Sequence, residues 1–225
     1  MRLEIITIND DEHSAVLQDL EEVFGEELSY WITSFKTKDT NIDGKRIHLS
    51  GKKIHEFVDE FDILEKRSIT AQVPFKIIHA SAQEKREFLK ALFQADGCVR
   101  IRVDEARNAG DVCLTTASPF LSFEVLQLLN SLGIYARISK NIDQRENRAG
   151  TNQIIIAYGS AREQYQQQIG FISEEKQQKL IILNQLVLRS KSLPLIREES
   201  IISIEKIGIK KVYDIQTESG KFLGN

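Results

Sequence analysis

Two cysteines, three prolines and one tryptophan occur in 225 residues, and each scarcity removes a class of protein. Two cysteines cannot staple a small secreted scaffold, and with four scattered histidines they give none of the spaced Cys/His sets of a zinc site. Cys98 and Cys113, each inside an apolar strand-like run, read as reduced thiols packed as small hydrophobes. So few prolines in a chain that is 41% hydrophobic fit an ordinary globular protein rather than a disordered or fibrous one. No run of about 18 apolar residues occurs, so no membrane-spanning helix is expected. "MRLEIITINDDEH" has no basic-then-apolar leader, so a cytoplasmic location is expected. A basic excess is missing too: the net charge is −3, a poor average for a nucleic-acid binder. The average hides asymmetry, because acids crowd residues 9–27 while Arg100, Arg102, Arg107, Arg137, Lys140, Arg145 and Arg148 follow one another further on.

What the chain does have is a repeat. "LEIITINDDEHSAVLQDLEEVFGEEL" from Leu3 parallels "VCLTTASPFLSFEVLQLLNSLGIYA" from Val112. Each is an apolar strand, a polar turn and a helix built around Val-Leu-Gln, at Val16 and at Val125. "KRIHLSGKKIHEFVDEFDI" likewise parallels "NQIIIAYGSAREQYQQQIGFI", with Gly51 and Gly159 at matching corners. Both pairs give an offset of about 109 residues. The second copy carries one more helix in front, and the offset places its counterpart about 13 residues before Met1.

That extra helix is "SAQEKREFLKALFQADG", residues 81–97. Ser81 and Glu84 form a capping box, and Phe88, Leu89, Leu92 and Phe93 supply an apolar stripe. Ala91 and Ala95, four apart, leave one face almost without side chains, so a second helix backbone could approach closely. Gly97 stops the helix, as glycine commonly does just past a C-terminus. Asp96 is badly placed for helix stability, because the helix dipole is already negative there.

"FLKALFQADG" resembles the second signature motif of LAGLIDADG (DOD-type) homing endonucleases, and "VPFKIIHASAQEKREFLKALFQADG" resembles the longer block of intein-borne members. The resemblance implies an α+β fold of two αββαββα halves related by a pseudo-twofold, with the two motif helices packed on their small-residue faces. It implies metal-assisted hydrolysis of phosphodiester bonds at a specific double-stranded DNA site. Asp96 would be catalytic, with Asp96 and Gly97 as metal ligands and Mg²⁺ as the cofactor. The first motif helix is missing, so residues 1–80 would be a truncated first half and residues 81–193 the second. Pairing through the face of the motif helix, with a second chain or a companion fragment, would restore the missing acid. Strands after each helix would lie in the major groove. Arg100 and Arg102 alternate with Val99, Ile101 and Val103, and Tyr135, Arg137 and Ser139 alternate with Ile134, Ala136 and Ile138. With Lys140, Arg145 and Arg148 of a polar loop, the basic ones and Ser139 make the expected DNA-binding set. Trp31, Ser34, Lys36, Lys38 and Arg46 are the counterparts in the first copy.

From about residue 194 the character changes. "VYDIQTESGKFLGN" resembles the penultimate splicing block of inteins, closest in wording to those of cobalamin-dependent ribonucleotide reductases. Residues 194–225 would then be strands of an incomplete Hint splicing domain. Asp214 would be its acid, and Asn225 either an Asn preceding the cyclising one or the cyclising Asn itself. The first-residue nucleophile, the Thr-x-x-His block and the terminal His-Asn of that family are missing, so this chain alone is not expected to splice. Its partners would be double-stranded DNA and host exteins or a companion intein fragment. Two other functions stay open: a split-intein fragment acting in protein splicing with a partner chain, and a catalytically inactive DNA-binding remnant.

Overall fold

The computed structural model describes residues 2–25, 28–36, 42–62, 67–103, 108–141, 150–186, 203–206 and 208. The order of elements is β1 (Arg2–Thr7), α1 (Asp10–Phe24), β2 (Ser29–Lys36), β3 (Asp43–Ser50), α2 (Lys52–Glu60), α3 (Phe75–Ile78), α4 (Ala82–Asp96), β4 (Gly97–Val103), β5 (Asn108–Thr116), α5 (Pro119–Ser131), β6 (Arg137–Asn141), β7 (Thr151–Ile156), α6 (Gly159–Gln168) and α7 (Glu174–Leu186). Helices pack on two antiparallel sheets, a mixed α+β arrangement.

The sheets carry the repeat. One has the order β1-β3-β2, and the other has β4-β5-β7-β6. Without β4 the second order is that of the first, with β5, β7 and β6 in the places of β1, β3 and β2. Strand period then sorts the residues. Leu3, Ile5, Ile47 and Leu49 face α1 and α2 and close a small core with Leu20, Ile54 and Val58. In the larger unit Val112, Leu114, Ile154 and Ile156 do the same against Val125, Leu129 and Tyr165.

Helix α4 forms as its sequence dictates. Glu84 N–H donates to Ser81 Oγ at 3.3 Å and Ser81 N–H to the Glu84 carboxylate at 2.8 Å, closing the capping box. The Ser81 hydrogen bonds hold the Glu84 carboxyl below its usual range. Leu89 and Phe93 are fully buried, each stabilising the fold by about 1.5–3 kcal/mol. Behind the sheet, buried Arg162 joins three elements: its guanidinium donates to Asn184 Oδ1 of α7 at 3.0 Å, to Gly110 O of β5 and to Ala157 O.

Among the described residues no helix is long and apolar enough to cross a membrane.

Candidate metal and nucleic-acid site

Asp96 ends α4 and is exposed, at the junction of the two sheet units. Gly97 follows with φ −91° and ψ 158°, extended backbone open to any residue. The expected left-handed helix stop is therefore not what requires glycine here. Space requires it: a Cβ on Gly97 would lie 2.5 Å from the Phe93 carbonyl oxygen.

The junction is stitched by polar contacts that cross from unit to unit. Gln94, buried one residue before Ala95, accepts from Ile172 N–H and Ser173 N–H, each at 3.1 Å, and donates to Glu12 Oε1 at 3.2 Å. Asp11 accepts from Glu174 N–H at the start of α7, where a helix N-terminus favours negative charge. The half-buried Lys176 ammonium donates to the Gly97 carbonyl at 2.9 Å and to the Gln94 carbonyl, both at the end of α4. Burial pulls this ammonium below the ordinary lysine range, against the attraction of Glu12, Cys98, Asp96 and Glu175. These residues were missed from the sequence. A polar Gln94 beside Phe93 in an apolar stripe was a usable signal, whereas nothing local connects Lys176 to a helix end 82 residues away.

Ala91 and Ala95 are exposed along α4, as their small size implied, and they form one wall of an open cleft of about 430 Å³. Its other wall is apolar, with Leu3, Ile5, Val16 and Leu20 of the first unit. Asp96 follows the cleft's last α4 residue.

A hard divalent cation takes about six oxygen ligands. Among the described residues no group of three or more His, Cys, Asp or Glu could hold a metal ion, and the Gly97 carbonyl is engaged by Lys176. The residues present do not complete a Mg²⁺ site. They place one carboxylate.

The strand register settles which candidate DNA-binding residues share a face. Cys98 pairs with Cys113, Cys113 with Ile155 and Ile155 with Arg137; Gln153 pairs with Thr115 and Ser139. Arg100, Arg102, Arg137 and Ser139 therefore lie on one face, opposite the core face of Val112 and Ile154. Lys140 pairs with Asn152 and falls on the other face. Arg102 and Arg137 are exposed. Arg100 is committed within the sheet, with Nη2 2.6 Å and Nε 2.7 Å from Asp111 Oδ1 and Nη1 3.4 Å from Gln153 Oε1. Beside it, burial and the hydrogen bond with Cys98 push the Cys113 thiol up to about 12. Arg145, Arg148, Asp214 and Asn225 lie outside the described residues.

In the first unit Trp31 and Arg46 share a face, while Ser34 and Lys36 alternate to the other; Lys38 lies outside the described residues. Trp31 stacks on buried His48 with ring centres 4.8 Å apart, and the Arg2 guanidinium covers the indole at 4.8 Å. Glu4 bridges Arg2 at 3.1 Å and Arg46 at 3.6 Å.

Residues 83–170 match the family described as a LAGLIDADG-like domain. Over 172 residues, 75% of this chain, the sequence is 25% identical to the small subunit of replication factor C from Methanocaldococcus jannaschii. Over 111 residues, 49% of this chain, it is 32% identical to the gyrA-type polypeptide of DNA gyrase from Mycobacterium kansasii. The chain spans only 8% and 19% of those two proteins. Among solved structures, the homing endonuclease I-DmoI in complex with DNA and Mn aligns with a TM-score of 0.49 and 18% identity, over 75% of this chain and 80% of that one. The segment that contains α4, its terminal Asp96 and the β4–β7 sheet is a LAGLIDADG-like domain.

Proposed function

We propose that this chain is the endonuclease-like part of an intein, a duplex-DNA-binding domain whose cutting site is completed by a helix seated in the cleft beside Ala91 and Ala95. The observation that carries this is the pairing of an exposed small-residue face with an apolar wall, with a lone exposed carboxylate next along the helix. Small faces admit close helix contact, and a helix lying there would bring its own C-terminal acid beside Asp96. Two oxygen-donating acids suit Mg²⁺, which when bound would neutralise charge developing on a phosphodiester. Within the chain, Asp96 supplies one ligand, Lys176 holds the end of α4, and Arg102, Arg137 and Ser139 line the face offered to DNA.

The intein setting is supported by the hosts. A replication factor and a DNA gyrase are different proteins, yet each is matched by this chain over a small part of its own length. Inserted elements give that pattern. The tail resemblance from residue 194 points the same way, with Asp214 and Asn225 as splicing-block residues.

Selection of bound sequences from a randomised duplex DNA pool tests the reading, followed by incubation of the selected DNA with Mg²⁺. The chain alone should bind and not cut. The chain extended by the residues encoded upstream of Met1 should cut, and Asp96→Asn should abolish cutting while leaving binding intact. No enrichment of duplex DNA at low salt would sink the proposal. The one acid among the described site residues favours a second reading, an inactive DNA-binding remnant, and binding without cutting by every extended form would establish it.

A further inference from the structure

The two cysteines take no part in that function, and the fold brings them together. Cys98 of β4 and Cys113 of β5 stand directly opposite in the antiparallel register, and their sulfurs are 3.4 Å apart. Opposed residues of an antiparallel pair have Cα atoms about 4.5–5.5 Å apart, inside the span a disulfide bridges without backbone movement. Their accessibility is unequal: Cys98 is exposed and Cys113 is 2% exposed. The buried sulfur is thus screened from oxidants and open to its partner alone.

We propose that Cys98 and Cys113 are a reversible dithiol–disulfide pair, oxidised by a hydroperoxide and reopened by a dithiol reductant. Cys98 meets the oxidant. Its sulfur attacks one peroxide oxygen and the O–O bond breaks; two electrons pass from sulfur to peroxide, leaving a sulfenic acid and one water. The Cys113 sulfur then attacks the Cys98 sulfur, the S–O bond breaks as S–S forms, and the hydroxyl leaves with the Cys113 proton as a second water. Two thiols and one hydrogen peroxide become one disulfide and two waters. Sulfenic acids condense with a neighbouring thiol in this way, and a resolving partner in contact makes that step fast compared with further oxidation.

The position gives the bond a consequence. It would tie β4 to β5 one residue beyond Gly97, where the chain leaves Asp96 for the sheet, in the row that ends at Arg137. The closure itself rests on geometry alone and does not depend on the nuclease reading.

The test uses the whole chain, reduced and then treated with hydrogen peroxide, with free thiols alkylated after unfolding. The expected product is monomeric, two hydrogen masses lighter, with neither cysteine alkylated and the tryptic peptides 91–100 and 108–137 linked until a dithiol is added. In Cys98→Ala, a change at an exposed position, Cys113 should stay alkylatable, its oxidation slowed by about ten-fold or more because it is buried. The proposal is overturned if Cys98 gains oxygen while Cys113 remains free, if disulfide-linked dimers form instead, or if Cys113 is oxidised as fast in Cys98→Ala as in the unaltered chain.

Discussion

Replacing Gln94 by leucine isolates what the junction contributes, because leucine keeps most of the volume and none of the hydrogen bonds. Three bonds are lost, and they are not equal. The Ser173 N–H is in a residue with no exposure, so losing its acceptor carries the full cost of an unsatisfied buried donor, about 1–3 kcal/mol. The Ile172 N–H belongs to a partly exposed residue, and water can take over much of that bond. Glu12 is also partly exposed and keeps its bond from Ile8 N–H at 2.9 Å. The total is about 2–4 kcal/mol, most of it from one donor.

Urea unfolding followed by circular dichroism reads this directly. With a slope of about 2 kcal/mol per molar, the midpoint should fall by about 1–2 M. Glu12→Ala removes only the contact between units and should cost about 1 kcal/mol or less. Because both changes act on one network, the double variant should be no less stable than Gln94→Leu by more than about 0.5 kcal/mol. A loss below about 0.5 kcal/mol in Gln94→Leu would show that the Ile172–Ser173 turn finds other acceptors and that Gln94 is not the stitch.

Gly97→Ala should lower thermal stability by about 1–3 kcal/mol, because its new methyl meets the Phe93 backbone rather than a strained φ; unchanged melting would refute the steric account. His13 is buried against Thr7, and burial foremost, with Lys45 next, lowers its pKa despite Asp10. A folded value below the unfolded one, about 6.5, means the unfolded chain binds more protons, so stability should fall as pH drops through 6.5. His13→Gln should flatten that part of a stability–pH curve. Arg102→Ala and Arg137→Ala, at exposed positions on the candidate DNA face, should each weaken duplex binding across sequences and reduce the salt slope by about one. Equal salt slopes in both variants and the unaltered chain would take these residues off the interface.

Much of the architecture was legible because it is local. The capping box, the Phe88–Phe93 stripe and the period of "CVRIRV" each follow from neighbours within a few residues, and the repeat could be read by comparing two stretches of one chain. Parity placed Arg100, Arg102, Arg137 and Ser139 on one face correctly, yet it could not show that Arg100 is spent on Asp111, which lies across a hairpin. Lys140, grouped with them for its charge, is on the opposite face by its pairing with Asn152. The reason for Gly97 was likewise hidden, since a motif shows that glycine fits a helix end and not which atom excludes a side chain. Lys176 and the Ile172–Ser173 turn reach the site only through tertiary packing, and the pairing of the two thiols needs the register of β4 on β5.

The acid at the foot of α4 is held there at a cost. Asp96 adds negative charge where the helix dipole is negative, which costs about 0.3–1 kcal/mol at an exposed helix end. Lys176 opposes this, for its ammonium binds two carbonyls of the same helix end. That ammonium is itself held below its ordinary range by burial, so the unfolded chain binds the proton more tightly than the folded one. Lys176's contribution to stability should therefore rise as pH climbs from its folded value towards about 10.4, which marks a charged lysine kept at neutral pH against a burial cost. Two groups that each carry a cost, an acid and the cation facing it, are a poor way to end a helix for stability's sake and a reasonable way to hold a carboxylate in place. Asp96→Asn tests which purpose dominates. Relief at the helix end and loss of attraction to Lys176 nearly cancel, so its stability should stay within about 0.5 kcal/mol of the unaltered chain. Any loss of cutting would then report chemistry rather than folding. If Asp96→Asn instead destabilised the chain by several times that amount, the carboxylate would be a structural anchor, and its assignment to a metal would lose its main support.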